Sequence, residues 1–460
     1  MRMVYLKYFR GNEGRAVAAN SLLIYEKENI RAERAYEMAT RGLNLERRER
    51  AFSLELAMGT IRRKLTLDFI LSKFISRSIE QVDPSILSVL RTGAYQMFFM
   101  NSVPNYSAVD ESVKLIKCSS LSWAAGFVNA TLRKVANVNL EDEFASISSD
   151  INENISLKTS FPEWIVRHFA EEHGYDNAKR ICECSNESPK IFARLNRLRG
   201  NFEEVMNILR EDEIELEAGE YLPESAILTS FASLDKLSSF NKGCFSIQDE
   251  SSMFVARALH PEENFKILDV CSAPGGKTTH VAELCNDLCE IIACDVSEER
   301  LKLVDESAKR LGLSSVKTQV CDGRWLPEEY YGSFDAVLVD APCSGLGVLS
   351  RRADSRYRKR KEDIEKLSSI QSDILESASK CVKSGGTLIY STCTIAKKEN
   401  EKQIEKFLKT HSNFIGTPLY PHFSNLRKPI IGLKEEDYSF QFLPYIHNID
   451  GFFIARIKRL

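Results

Sequence analysis

Apolar residues recur three and four positions apart through the first third of the chain. The pattern is clearest at residues 51–58 and 86–90, and few glycines or prolines interrupt it. Asp83 followed by Pro84 is typical of a helix start, because proline fits the first helical turn. Apolar residues at this spacing line one face of a helix. Residues 13–138 are therefore predicted to be all-helical.

Polar and apolar residues are distributed differently in the next hundred positions. Residues 139–158 are acidic, rich in serine and asparagine and low in apolar side chains, which predicts a linker. Residues 161–164 predict the start of a helix, and residues 189–196 predict a strand. We therefore expect a small region of mixed helix and strand up to about residue 243, with no chemistry of its own.

From about residue 246 onward, short apolar runs alternate with helical patterns. The runs occupy residues 265–270, 291–295, 334–340 and 387–391. Continuous apolar strands separated by helices are typical of a parallel sheet covered on both faces. The sequence therefore predicts an α/β fold with a doubly wound, mostly parallel sheet, in which ligands bind at the carboxyl ends of the strands.

The three patterns divide the chain into three predicted domains. They are an all-helical domain over residues 1–140, a small α+β connecting domain over residues 141–245 and an α/β domain over residues 246–460. The length of 460 residues accommodates three domains of ordinary size.

Composition narrows the class of protein without adding a function. Apolar residues make up 43% of the chain, no segment is apolar enough to span a membrane, and the basic N-terminus lacks the apolar core of a signal peptide. The twelve cysteines and seven histidines show no zinc-ligand spacing, so we expect no metal and reduced thiols in a cytoplasmic protein. The net charge of −3 does not favour nucleic-acid binding, which would depend on local basic patches.

A glycine-rich loop follows the first predicted strand of the α/β domain. Gly275 and Gly276 allow the backbone to approach a ligand closely. A phosphate-binding P-loop would need glycine where Cys271 stands, and the dinucleotide-binding pattern is absent. Residues 271–277 are therefore predicted to bind a cofactor without a pyrophosphate, and the alternative is an ordinary tight turn.

Two aspartates follow the next two strands. Asp295 ends the second strand at the spacing of an acceptor for ribose hydroxyls, and Asp322 follows the third strand, where it could accept from an adenine amino group. Either residue alone is more often a helix N-cap. Together, in order after a glycine loop, they indicate a cofactor that contains adenosine.

Two cysteines stand at the ends of two further predicted strands. Cys343 lies close to Asp340, and Cys393 lies among hydroxyl residues. A lone cysteine at such a position usually packs, whereas two of them indicate chemistry. A thiolate that adds to carbon 6 of cytosine enables carbon 5 to accept a methyl group, and Asp340 is the candidate for stabilising charge at ring nitrogen 3. The residues alone leave open which thiol attacks.

A basic run follows the Cys343 loop. Charge runs are usually solvated surface, but the position of this one next to the predicted site favours contacts with RNA phosphates. The predicted RNA-binding residues are Arg351, Arg352, Arg356, Arg358, Lys359 and Arg360.

The chain resembles two known families over most of its length. It resembles the RNA cytosine-5 methyltransferases at residues 247–252, 271–277, 340–345, 390–394 and 450–453. It resembles the NusB-like RNA-binding helical fold at residues 59–62, 90–96, 108–111 and 126–133. A NusB-like domain joined to such a methyltransferase domain is the layout of the RsmB/Sun (Fmu) family, which methylates one cytosine of bacterial small-subunit ribosomal RNA.

The resemblance implies a Rossmann-like catalytic domain that uses S-adenosylmethionine, with ribosomal RNA as the partner of a cytoplasmic monomer. It also implies that Cys393 is the nucleophile and that Cys343 assists release. The implied cofactor-binding residues are Cys271, Ser272, Ala273, Pro274, Gly275, Gly276, Lys277, Asp295, Asp322 and Asp340. Two alternatives stay open, namely the same chemistry on tRNA and a non-catalytic RNA-binding assembly factor that keeps the fold.

Overall fold

The computed structural model describes Phe9 and residues 14–145, 147, 150–231 and 233–460. The chain forms two compact units, Met1–Asn186 with Leu349–Lys359 and Glu187–Val348 with Arg360–Leu460. The predicted absence of a signal peptide concerns an N-terminal segment that lies mostly outside the described residues. Among the described helices, none combines the length and apolarity that crossing a membrane requires.

The first unit is helical, as the spacing of apolar residues predicts. Its helices are α1 (Gly14–Glu28), α2 (Ala32–Thr40), α3 (Arg47–Arg62), α4 (Lys64–Ser72), α5 (Pro84–Phe99), α6 (Asn105–Lys117), α7 (Ala125–Val135), α8 (Leu140–Ala145), α9 (Ile151–Thr159), α10 (Glu163–His173) and α11 (Tyr175–Cys184). Helix α5 begins where predicted, because the Asp83 carboxylate accepts from the Ser85 backbone N–H at 2.8 Å. Ile86, Val89 and Leu90 of α5 are fully buried in the core of the unit.

The predicted linker over residues 139–158 is largely helical, which corrects the prediction from composition. Helices α8 and α9 both lie in it. The Asp150 carboxylate caps α9 by accepting from the Asn152 and Glu153 backbone N–H groups, and Ile155 is buried. A cap and a few apolar contacts therefore outweigh the polar composition of the segment.

The second unit contains two sheets. Its strands are β1 (Ile191–Leu195), β2 (Glu215–Ala218), β3 (Ser225–Ser230), β4 (Phe245–Ile247), β5 (Lys266–Asp269), β6 (Glu290–Asp295), β7 (Val316–Val320), β8 (Phe334–Asp340), β9 (Val382–Thr392), β10 (Phe414–Gly416), β11 (Ser439–Phe442) and β12 (Phe452–Arg459). The later helices are α12 (Phe202–Glu211), α13 (Ser238–Asn241), α14 (Glu250–Leu259), α15 (Gly276–Leu284), α16 (Glu298–Leu311), α17 (Ser355–Arg358), α18 (Lys361–Cys381), α19 (Glu401–Thr410) and α20 (Pro444–His447). All belong to the second unit except α17.

The larger sheet has the predicted parallel centre. Its order is β10-β12-β9-β8-β5-β6-β7, and β11 pairs with β12. The five strands from β9 to β7 run parallel, and β10, β11 and β12 add an antiparallel edge. The smaller sheet has the order β2-β3-β1-β4 and is antiparallel throughout. The predicted α/β fold with a doubly wound sheet is therefore confirmed.

The parallel strands bring four chain segments to one edge of the larger sheet. Strand β5 ends at Asp269, β6 at Asp295 and β8 at Asp340, and Asp340 is in register with Ser391 of β9. Because these strands are parallel, their carboxyl ends meet at the same edge. The polar side chains that follow the strands are therefore neighbours, although they are far apart in sequence.

The cysteines differ from expectation at one pair. Cys285, after α15, forms a disulfide with Cys289, whereas reduced thiols were expected throughout. The other ten cysteines, all in the described part of the chain, form no disulfide.

The chain contributes to the helical unit a second time at Leu349–Lys359, which includes α17. Ala353 belongs to the helical core, and the Tyr357 hydroxyl lies 2.9 Å from the Arg62 carbonyl oxygen, to which it can donate. The helical unit is therefore built from two separate stretches of sequence.

Candidate active site

Two thiols lie in contact at the carboxyl edge of the larger sheet. The Cys343 and Cys393 sulfur atoms are 3.2 Å apart, on the loops that follow β8 and β9. The Gly347 N–H donates to the Cys393 carbonyl at 3.1 Å, and a Cβ at Gly347 would collide with the Gly451 carbonyl. Close backbone packing that only glycine permits therefore holds the Cys343 loop against the end of β9.

The surroundings of Cys343 favour its protonated form. The hydrogen bond to the Cys393 sulfur, together with burial and the nearby carboxylates of Glu399 and Asp340, raises the pKa of Cys343 well above its ordinary value. Either sulfur can be the donor of the S–H···S hydrogen bond that joins the two thiols.

Lys277 lies beside the thiols. Its ammonium is 2.7 Å from the Asp340 carboxylate, which also accepts from the Ser391 hydroxyl at 2.9 Å. Although burial lowers the pKa of Lys277, the charges of Asp340 and Cys393 raise it above its ordinary value. Lys277 was predicted from sequence to bind a cofactor. The structure places its positive charge on Asp340 and near the Cys393 sulfur.

A buried glutamate that sequence reasoning missed connects the two cysteine loops. Glu399 is fully buried and accepts from the Ser344 N–H at 2.9 Å, from the Ser344 hydroxyl and from the Gln371 amide at 2.9 Å. The Ser344 and Thr394 hydroxyls are 2.7 Å apart. Its position six residues after Cys393 was its signal in the sequence. Its burial, which gives the residue its role, is visible only in the structure.

The glycine loop has the backbone geometry that the sequence predicts. Gly275 has φ +101°, a conformation that side chains other than glycine rarely adopt, and Gly276 starts α15. The nearest atom to a Cβ at Gly276 would be on Gln248, 3.8 Å away. Ser272 turns inward instead, because its hydroxyl and its N–H both donate to the Cys294 carbonyl. The Ser272 side chain therefore serves the loop rather than a ligand.

Asp269, at the end of β5, is a buried acid under this loop. Burial raises its pKa to about 7. The Thr278 hydroxyl donates to one of its oxygens at 2.6 Å, and the other oxygen has no hydrogen-bond partner among the described residues. An unsatisfied buried acceptor under a glycine loop fits a site for a polar ligand.

The two aspartates predicted to hold adenosine lie at the same edge, and arginines engage both. Asp295 is buried, accepts from the Ala273 N–H at 3.3 Å and pairs with Arg300 at 3.1 Å. Asp322 pairs with Arg324 at 2.6 Å, and the hydrogen bonds of that arginine lower its pKa. Both carboxylates can therefore accept hydrogen bonds at this edge of the sheet. With the glycine loop, their chemistry fits an adenosine-containing cofactor.

Arg194 of β1 supports the glycine loop from the smaller sheet, in a region where we expected no chemistry. The fully buried guanidinium donates to both Glu283 oxygens, at 2.8 and 3.0 Å, and to the Thr279 hydroxyl at 3.0 Å. It also donates to the Gly276 carbonyl at 2.8 Å. A lone arginine within an apolar strand is the sequence signal that could have identified it.

The predicted RNA-binding run divides by burial. Arg356 is fully buried, donates to the Asn186 side chain at 2.7 Å and to the Ser185 carbonyl at 3.0 Å, and stacks on Phe161. It therefore offers no charge to RNA, which corrects its assignment. Arg358 donates to the Asn29 carbonyl at 3.0 Å. The members that remain at least partly accessible are Arg351, Arg352, Arg358, Lys359 and Arg360.

No group of three or more histidine, cysteine or acidic side chains that could hold a metal ion occurs among the described residues. The chemistry that the site itself offers is that of two thiols, a lysine–aspartate pair and a buried glutamate.

Comparison with known families covers nearly all of the sequence. Residues 256–458 match the family described as 16S rRNA methyltransferase RsmB/F, and residues 12–137 match the NusB family. Residues 161–235 match a ferredoxin-like domain of RsmF/B-like methyltransferases.

Individual relatives resemble between two thirds and nearly all of the chain. The probable ribosomal RNA small subunit methyltransferase B of Bacillus subtilis is 33% identical over 447 residues, which cover 97% of this chain and 98% of the relative. The crystal structure of PH0851 is 27% identical with a TM-score of 0.79 and covers 98% of this chain and 100% of that one. NSun6 from Pyrococcus horikoshii with SFG is 25% identical with a TM-score of 0.58, covering 65% and 99%.

Proposed function

Since the chain belongs to the 16S rRNA methyltransferase RsmB/F family, we propose that it methylates carbon 5 of one cytosine in small-subunit ribosomal RNA. The observation that carries this proposal is the contact between the Cys343 and Cys393 sulfurs beside the Lys277–Asp340 pair. Carbon-5 methylation needs one thiol that adds to the ring and a second group that assists its release.

Cys393 is the nucleophile in this proposal. Its sulfur bonds to carbon 6 of the cytosine, and the electron pair of the carbon 5–carbon 6 double bond shifts toward carbon 5 and ring nitrogen 3. In this proposal Cys343 stays protonated, which its raised pKa supports, and Cys393 carries the thiolate. The Lys277 ammonium stabilises that thiolate, and Asp340 holds the polar edge of the ring.

The cofactor is S-adenosylmethionine, which supplies the methyl group when it is bound. The glycine loop, Asp295 and Asp322 are the residues that would hold it, and the unsatisfied oxygen of Asp269 supports a polar ligand there. The relative crystallised with SFG, an analogue of this cofactor, supports the same assignment.

Release completes the cycle. In our proposal Cys343 passes its proton to the departing Cys393 sulfur and takes the proton from carbon 5. The bond from sulfur to carbon 6 breaks as the carbon 5–carbon 6 double bond re-forms. The 3.2 Å separation of the two sulfurs is short enough for this direct transfer.

The test uses a small-subunit ribosomal RNA transcript and labelled S-adenosylmethionine. We expect Cys393→Ala to transfer no methyl group. We expect Cys343→Ala to methylate once and remain bound to the RNA, as an adduct that survives denaturation. Cys118→Ala, at an exposed cysteine of the helical unit, is the matched control and is expected to behave as wild type.

Normal methylation by Cys393→Ala would refute the assignment of the nucleophile. Rapid turnover by Cys343→Ala, without adduct, would refute its role in release. Bisulfite sequencing of ribosomal RNA and tRNA from cells without the protein then identifies the substrate. Loss of a mark from tRNA alone would replace ribosomal RNA with tRNA in this proposal.

A further inference from the structure

Glu399 has no part in the steps described above, yet it is a buried acid that contacts both cysteine loops. It lies in the loop after β9, contacts the loop after β8 and α18, and none of its surface is exposed. A carboxylate is costly to bury unless several donors satisfy it. Donors that the structure shows on Glu399 include the N–H and hydroxyl of Ser344 and the amide of Gln371.

We propose that Glu399 is a positioning residue for the release step, because it keeps the Cys343 sulfur in contact with the Cys393 sulfur. The inference rests on the proposed function. It adds that the contact between the two sulfurs, on which release depends, is maintained by Glu399.

The contacts form a short path from one thiol to the other. Ser344 follows Cys343 directly, and Thr394 follows Cys393 directly. Glu399 binds the backbone and the side chain of Ser344, and the Ser344 hydroxyl lies 2.7 Å from that of Thr394. The residues that follow the two thiols are therefore tied directly to each other, and the buried carboxylate fixes the Ser344 side of that contact.

The Gln371 amide fixes the same loop from α18. It donates to Glu399 at 2.9 Å and lies 2.9 Å from the carbonyl oxygen of Pro342, the residue before Cys343. Cys343 is thus held on both sides, at Pro342 and at Ser344. Removing the carboxylate would leave the Ser344 N–H and one of the two Gln371 amide hydrogens without an acceptor in the interior, and the loop would shift to satisfy them.

A shift of this loop affects release more than attack. The Cys393 sulfur is on the strand end and keeps the Lys277 charge near it. The Cys343 sulfur reaches its partner only through the loop that Glu399 holds. Proton transfer needs contact distance, so a displacement of about 1 Å is enough to slow release.

The experiment compares Glu399→Ala with Glu399→Gln in the full chain. For Glu399→Ala we expect a first methyl transfer within about threefold of wild type, at least tenfold slower multiple turnover and accumulation of a denaturation-resistant RNA adduct. Glutamine has the same shape and keeps an acceptor for Ser344 and Gln371. We therefore expect Glu399→Gln to restore turnover to within about threefold of wild type.

Two further variants complete the design. Ser344→Ala removes the hydrogen bond from the Ser344 hydroxyl to Glu399 and is expected to accumulate an intermediate amount of adduct. If Glu399→Ala does not fold, the amount of adduct formed by Ser344→Ala tests the positioning role of Glu399. Ser379→Ala removes a buried hydroxyl that bonds only within α18, and it is expected to form no adduct.

The outcomes separate this inference from the proposed function. If Cys343→Ala traps RNA while Glu399→Ala and Ser344→Ala turn over without adduct, Glu399 has no role in positioning. Equal losses of first transfer and of turnover would also overturn it, because they indicate a general structural role. If Cys343→Ala itself forms no adduct, the proposed function fails first.

Discussion

The Cys343 and Cys393 sulfur atoms lie 3.2 Å apart and share a hydrogen bond in which either can be the donor. The neighbours of Cys343 raise its pKa, and the positive charge of Lys277 lies near the Cys393 sulfur. The residues alone left the choice of nucleophile open, and the family resemblance assigned it to Cys393. That assignment stays a prediction.

Asp269 gives a prediction about pH. Burial raises its pKa to about 7, so the folded protein binds this proton more tightly than the unfolded chain. Its contribution to stability is complete below about pH 4 and is lost as the pH rises through about 7. We expect Asp269→Asn to remove this part of the decline, which is about 3 kcal/mol between pH 5 and 8 at about 1.4 kcal/mol per pKa unit.

Urea unfolding of both proteins at pH 5 and pH 8, without cofactor, measures the effect. Glu250, whose pKa burial raises to about 7, changes stability with the same sign in both proteins and so cancels in the comparison. The same pH dependence in wild type and variant would show that Asp269 stays ionised in the folded state.

Single residues could be predicted where the signal is local. Gly275 was identified because a glycine after a strand has few explanations, and its positive φ agrees with that interpretation. The RNA contact predicted for Arg356 is wrong because the residue is buried. The hydrogen bonds of Lys277, Ser272 and Arg356 were not predicted, because the partners of each lie on other elements. No periodicity along the sequence reports such contacts.

At the scale of helices and strands, the apolar pattern predicted half of the larger sheet. Strands β5, β6, β8 and β9 of its eight strands lie within or around the predicted apolar runs, because buried parallel strands are continuously apolar. Helices α8 and α9 were missed, since the cap of α9 and the buried apolar side chains of Phe144 and Ile155 stabilise them against an acidic composition. The predicted domain boundaries at residues 140 and 245 stay predictions.

The contact between β1 and α15 gives a prediction at this scale. Arg194→Met removes the donor to the Gly276 carbonyl and leaves Glu283 as an unpaired buried charge. We expect it to lower the free energy of unfolding by about 3–5 kcal/mol. We also expect S-adenosylmethionine to bind about tenfold more weakly, because α15 begins in the glycine loop.

The double variant Arg194→Met with Glu283→Leu separates the two effects. Apolar residues in place of a buried ion pair often restore stability, so we expect most of the lost free energy to return. Cofactor binding, measured by calorimetry, is expected to stay weak because the Gly276 carbonyl still lacks its donor. Wild-type affinity in the double variant would show that the contact is structural only.

For the molecule as a whole, the net charge does not favour binding to RNA. The net charge is −3, so RNA affinity must come from basic patches rather than from the overall field. Of the predicted run, Arg352 and Arg360 are exposed, whereas Arg356 is buried. We expect replacement of Arg352 and Arg360 by alanine to weaken RNA binding. It should also reduce the salt dependence of the binding constant by about 0.7–0.9 in slope per lost phosphate contact.

Arg356→Met is the matched comparison in a titration against salt concentration. Its loss removes hydrogen bonds to Ser185 and Asn186, so we expect stability to fall by about 1–3 kcal/mol while the salt slope stays unchanged. A reduced salt slope for Arg356→Met would contradict this division of the basic run. An unchanged salt slope after replacement of Arg352 and Arg360 would contradict it as well.

The second entry of the chain into the helical unit has a consequence for biosynthesis. A ribosome delivers Met1–Asn186 first, but Leu349–Lys359 emerges about 170 residues later. At a translation rate of roughly 5–20 residues per second, that delay is on the order of ten seconds. Until then the surface that packs on Ala353 and Tyr357 lacks its cover, so the nascent helical unit is exposed to chaperones and proteases throughout that interval. Truncation of the gene before codon 349 would make that state permanent.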